Sequence, residues 1–169
     1  ELARFYDIDV IIAQSEMAAP WITANCGVRT ADWFLQNAHL YDRVLYHFGN
    51  SPFHRHMFDL LAQVPGGVVL HDFHLGDVLW HGEAHGVSPY AWTRALYESH
   101  GYGAVVERFR VENGADVVRK YPVNLGVLQQ AQGIIVHSEH SRRLANEWYG
   151  HQLAAGWAII PLLRTPSDG

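Results

Sequence analysis

The sequence predicts an α/β domain: a mostly parallel β-sheet flanked by helices. Short apolar, β-branched runs recur along the chain, and segments with helical spacing and helix-boundary residues separate them. The scale agrees, since 169 residues and 19.1 kDa make one ordinary domain that buries roughly 70% of its unfolded surface.

The first predicted strand is Tyr6–Ala13, which begins with alternation and ends in an apolar run. Arg43–Phe48, Gly67–His71, Gly133–His137 and Trp157–Ile160 follow. Runs of this kind suit strands covered on both faces, joined by right-handed crossovers. Ser51-Pro52 supplies an N-cap and a first-turn proline ahead of Phe53, Met57, Leu60 and Leu61. Ser88-Pro89 repeats the device before Trp92, Ala95 and Leu96, with Gly101 as the stop. Ser138 is expected to cap a helix that holds Leu144, Ala145 and Trp148 and ends at Gly150. The sixty-odd residues between the third and fourth strands exceed one crossover. They are expected to hold helices near 75–83, 89–100, 102–112 and 123–130.

Composition narrows the function classes. The net charge is −5, and the 12 cations (all Arg except Lys120) are scattered, so no basic nucleic-acid footprint exists. No apolar stretch approaches the ~18 residues of a membrane span. The N-terminus lacks a signal pattern, and the single Cys26 fits a reducing compartment, so a cytoplasmic location is expected. Twelve histidines equal the Lys and Arg combined, which makes the charge sensitive to mild acid.

Three strands end alike, in His47-Phe48-Gly49-Asn50-Ser51, His71-Asp72-Phe73-His74 and His137-Ser138-Glu139-His140. Ligands of open parallel sheets bind beyond such carboxyl ends, where helix N-termini offer free N–H groups to anions. Much of the histidine excess should therefore face one crevice. For each His alone, the plain alternative is a hydrogen-bonded structural group.

Other chemistries find less support. His54 and His56 are two apart on a predicted helix and point in different directions. His81 and His85 could share a helix face, but His81-Gly82-Glu83-Ala84-His85 lacks the zinc-protease spacing. No metal site is therefore assigned. Cys26 reads as a filler in a loop beside Gly27, Ser51 and Ser138 read as caps, and no Gly-x-Ser-x-Gly, Gly-x-Gly-x-x-Gly or Walker pattern occurs. Trp80 or Trp92 could stack on a sugar.

Particular residues carry a family resemblance. Leu45–His54, Pro65–Leu75, Leu96–Gly103 and Ile134–Leu144 resemble bacterial glycosyltransferases of family 4, in order and at sensible spacing across most of Arg43–Leu163. Ile159–Leu163 looks like their strand entering the interdomain linker. The resemblance implies the Rossmann-like, N-terminal, acceptor-binding half of a GT-B enzyme, over 1–163, with 164–169 starting the linker. It implies retaining transfer of a sugar from a nucleotide-sugar donor to a sugar or glycolipid acceptor, without a metal or other cofactor. His71 corresponds to the histidine facing donor sugar and acceptor, which makes it the catalytic candidate. Gly49, Asn50, Ser51, His137 and Ser138 border the same cleft. Asp72 beside them would orient His71 or, as the favoured reading, cap the next helix.

Two departures from that family shape the expectations. Glu1–Tyr6 looks like the tail of its first helix, so its first strand and glycine loop are expected to be missing. The C-terminal domain, which binds most of the donor, is expected to be absent after Gly169. The chain then reads as a fragment with little or no activity alone, and its exposed sheet edges are expected to rearrange or to drive self-association. Lipid-linked acceptors would bring the enzyme to a membrane surface, although no basic amphipathic helix supports this. The rivals are a non-catalytic Rossmann-type small-ligand module and a His-rich metal-dependent hydrolase.

Overall fold

A computed structural model describes residues 2–14 and 17–162. The domain is α/β, as its sequence predicts, and every strand pairing is parallel. In chain order the strands are β1 (Asp9–Ile12), β2 (Gly27–Thr30), β3 (Leu45–Phe48), β4 (Gly67–Leu70), β5 (Gly133–Val136) and β6 (Ala158–Ile159). The helices are α1 (Pro20–Asn25), α2 (Ala31–Asn37), α3 (His56–Gln63), α4 (Gly76–Ala84), α5 (Ala91–Arg110), α6 (Gly114–Lys120), α7 (Leu125–Gln130) and α8 (Glu139–Tyr149).

The strands form two sheets, β1-β2 and β3-β4-β5-β6, and do not pair continuously. Among the described residues, β1 and β3 each pair on one side only. Ahead of β3, Tyr41 ties the chain to the first sheet's region: its hydroxyl donates to Asp9 Oδ2 at 2.6 Å, while its ring packs on Phe34 of α2.

Burial separates the strands. In β4, Val68, Val69 and Leu70 are all buried, so this strand is covered on both faces. The expectation of two-sided burial fails for β3, where Tyr46 and Phe48 are buried but Leu45 and His47 are exposed. It fails for β1 as well, whose four residues are all only partly buried. An edge strand gains cover from one side, and its free face keeps whatever polar residues the site requires.

The helix boundaries bear out the glycine signals at Gly101 and Gly150, and the serine signals only in part. Ser51 caps the 3-10 turn Pro52–His54, accepting from Phe53 N at 3.4 Å. Ser138 occupies the N-cap of α8 but makes no side-chain cap bond, and Ser88 instead accepts from Arg55 Nη1 at 3.0 Å. Gly101 breaks α5 with φ 76° and ψ −174°, a conformation only glycine adopts readily. The two arms fold back on each other there. Arg108 reaches Thr93 and Glu83, whereas a straight helix would hold residues 93 and 108 about 22 Å apart. Arg108 also lies over the buried Trp92 ring at 4.7 Å, so Trp92 is core and is not free to stack on a sugar.

Three features escaped the sequence reading: α1 with β2, α2, and α6. Cys26 is the one-residue connection between α1 and β2, beside Gly27, and it is partly exposed. α1, α2 and α6 are only six or seven residues long, too short for a clear apolar period. The expected linker, 164–169, lies outside the described residues, as do Glu1 and Leu163.

The loop that follows β4 is pinned from below. Asn124 is fully buried, donates from Nδ2 to the Phe73 carbonyl at 2.5 Å, and accepts from the Tyr149 hydroxyl at 2.6 Å. Leu75 N donates to the Pro122 carbonyl at 3.0 Å. Between these pins sits Val123 at φ 42°, an unusual conformation for a β-branched residue and one held by its 2% exposure.

Candidate functional site

Strand register decides which side chains meet. His47 pairs with Val69, and Leu70 pairs with Val136. His71 and His137 therefore stand at the same level, one residue past the last pair, and His47 is a diagonal neighbour of His71. Side chains alternate along a strand, so all three imidazoles share one face of the sheet. His71 Nε2 lies 3.0 Å from His47 Nδ1, and His71 Nδ1 lies 3.0 Å from His137 Nε2. The outer nitrogen of His137, Nδ1, lies 2.8 Å from the Ile160 carbonyl beyond β6.

The ring centroids follow from these nitrogen-to-nitrogen contacts. The His47–His71 centroids are 5.2 Å apart and the His71–His137 centroids 4.9 Å apart. Partial desolvation of the ring sides that lie against the sheet, followed by mutual repulsion among the imidazoles, lowers the pKa of His47 and of His71 below the ordinary histidine value. Asp72 opposes the shift at His71, but burial dominates. Near neutral pH both rings are uncharged.

A loop beside the histidines is built as one unit with α4. The Asn50 backbone N–H donates to Asp72 Oδ2 at 2.8 Å. The Asn50 side chain accepts from Asp77 N at 2.9 Å and from Val78 N at 3.2 Å, and donates to Asp77 Oδ2 at 2.7 Å. Asn50 is thus the cap of α4, supplied from 27 residues away. Asp72, expected to cap that helix, instead holds the Asn50 loop. The first turn of α4 is therefore not an open anion site, because Asn50 fills it and Asp77 adds negative charge. His54 Nδ1 donates to the His47 carbonyl at 2.7 Å on the free edge of β3. Gly49 is needed here, since a Cβ would stand 2.9 Å from His54 Nε2.

Of the residues expected to border the cleft, the fold gathers Gly49, Asn50, His71, Asp72 and His137 around one cluster. Ser51 lies next to it but uses its hydroxyl as a cap. Ser138 is exposed and has no side-chain bond joining it to the cluster among the described residues. The sequence reading gave His47 no role of its own, weighed His54 only as a metal ligand beside His56, and did not single out Asp77. The available signal was parity: His47, Val69 and Ile135 share a face, which becomes visible once the register is known.

Compared with family models, curated proteins and solved structures, the chain matches none.

The cluster is not arranged to chelate. Metal ligands converge on one point, whereas the two nitrogens of His71 point at different partners. Among the described residues, no group of three or more His, Cys, Asp or Glu could hold a metal ion. Among the described residues, no Lys or Arg is hydrogen-bonded to or paired with His47, His71 or His137. The site offers neutral donors and acceptors, the complement of hydroxyl groups rather than of phosphate. Two shallow depressions lie elsewhere, where α3, α4 and α5 meet, lined by Phe58, Leu79, Ala91 and Arg94. No helix among the described residues is long and apolar enough to cross a membrane.

Proposed function

We propose that this chain forms the acceptor side of the cleft in a retaining glycosyltransferase that moves a sugar from a nucleotide-sugar donor to a hydroxyl-bearing acceptor. The observation that carries this reading is the histidine face at the carboxyl ends of three adjacent parallel strands, with no Lys or Arg bonded to it among the described residues. A cleft half that receives a sugar or glycolipid hydroxyl needs neutral hydrogen-bonding groups. The half that holds a nucleotide needs positive charge or free helix N-termini. The resemblance of Leu45–His54, Pro65–Leu75 and Ile134–Leu144 to family 4 glycosyltransferases supports the same reading, with His71 corresponding to the histidine that faces donor sugar and acceptor. Asn50 and Asp72 hold the loop that borders the acceptor, and His137 flanks His71.

The donor's nucleotide would be bound mainly by a second domain. A sugar or lipid-linked sugar is the expected partner, and no cofactor is required. The test is a screen of the protein that carries this chain against a panel of nucleotide sugars with mixed glycoside acceptors. Donor-dependent product with retained anomeric configuration is expected. A folded protein that transfers from none of the donors would overturn the proposal.

A further inference from the structure

The Ile160 carbonyl oxygen can only accept a hydrogen bond, so neutral His137 must carry its proton on Nδ1. Its Nε2 is then a bare lone pair, and the His71 Nδ1 facing it must donate. His71 Nε2 is bare in turn, and the His47 Nδ1 facing it must donate as well. One backbone carbonyl thus imposes the same tautomer on three rings. The series ends at His47 Nε2, a lone pair without a hydrogen-bond partner among the described residues.

We propose that His47, His71 and His137 form a one-way hydrogen-bonded chain whose single open end, His47 Nε2, takes the proton of a bound ligand hydroxyl. The ligand O–H bond breaks and an N–H bond forms at His47 Nε2; the oxygen's electron pair makes the new bond to the transferred sugar as that sugar's bond to the donor nucleotide breaks, and the nucleotide leaves with the pair from the broken bond. The positive charge can move inward as each Nδ1 proton passes to the Nε2 of the next ring. It stops at His137, because the Ile160 carbonyl cannot take a proton. The chain therefore stores one proton and returns it through the atom that received it. His71 acts from the middle: both of its nitrogens are engaged, and a hydroxyl that bonded it would have to displace a neighbour.

The titratable groups facing the chain leave this end open. His54 commits its Nδ1 proton to the His47 carbonyl, Asp72 accepts from the Asn50 backbone, and Asp77 accepts from the Asn50 side chain. Burial also keeps His47 and His71 neutral near pH 7, the state a base requires. The inference rests on the proposed function only for the identity of the hydroxyl, that of a sugar acceptor.

The test is nitrogen-15 NMR of the histidine rings at a pH above the ordinary histidine value. Protonated Nδ1 and bare Nε2 are expected on His47, His71 and His137, against the Nε2–H form that free histidine prefers. An Nε2–H signal from any of the three would overturn the chain. In His137→Ala, with the amide spectrum of the folded protein retained, His71 and then His47 should relax toward the Nε2–H form. Unchanged tautomers there would also overturn it. Titration with methyl glucoside should shift His47 Nε2 first, and a shift confined to His71 would place the ligand elsewhere. Failure of the donor screen with these tautomers present would remove the glycosyl reading and leave the chain standing.

Discussion

His71 Nδ1 and His137 Nε2 face each other at 3.0 Å from the ends of adjacent strands. They meet because the β4–β5 register carries on past Leu70 and Val136. Neither residue is placed by its own loop. The sheet beneath them sets the distance, so the pair is as rigid as the strands.

His71→Ala interrupts the hydrogen-bonded chain at its centre, between His47 and His137. In the protein that carries this chain, the transfer rate is expected to fall about a hundredfold, the lower end for losing an acid–base group. Stability should change by under about 1 kcal/mol, because the ring is exposed. Steady-state rates and a denaturation curve check both parts. Normal transfer by a folded variant would remove His71 from the site.

Asn50 caps α4 from outside the helix. Asn50→Ala leaves Asp77 N and Val78 N without that acceptor and removes the side-chain bond to Asp77, while the backbone bond to Asp72 remains. The expected cost is about 1–2 kcal/mol in urea unfolding, at the upper range for a cap because two donors lose their partner. Ser138→Ala should cost almost nothing by comparison, since Ser138 makes no side-chain cap bond.

Asn124 joins the loop after β4 to α8, through the Phe73 carbonyl and the Tyr149 hydroxyl. Asn124→Leu strands both partners in the core and should destabilise the fold by about 3 kcal/mol. Tyr149→Phe removes one partner of a pair and should cost about 1 kcal/mol. If the two variants proved equally mild by thermal melting, the pin would not be structural.

His100 is packed among Tyr121, Trp148 and Tyr149, and its burial pushes its pKa down from 6.5 to about 4. The unfolded chain therefore binds a proton at a higher pH than the folded one does. Stability from this group is fully present above 6.5 and is lost as pH falls from 6.5 toward 4. His47, His56, His71 and His74 shift in the same direction and add to the loss. Urea midpoints should fall across that window, and His100→Phe should flatten the slope. A midpoint that rose on acidification would contradict the sign.

Much of the architecture was legible in the residues. Val68-Val69-Leu70 and Ile134-Ile135-Val136 could hardly be anything but buried strands, and Gly101 marked a real break between helical arms. β2 was not legible, because Gly27-Val28-Arg29-Thr30 alternates too weakly to announce itself. Asp72 was assigned to the wrong partner for a related reason. Local spacing favours a nearby helix cap, while the actual bond goes to a backbone N–H 22 residues away.

The sequence by itself determined the α/β class and put histidines at three strand ends, because apolar β-branched runs and their polar stops are local signals. The tertiary structure alone decided that His47, His71 and His137 share one face in hydrogen-bonding contact, and that the Ile160 carbonyl orients them. It also decided that two sheets stand where one was expected. Those facts depend on register and on contacts between distant segments, which residue order does not encode locally.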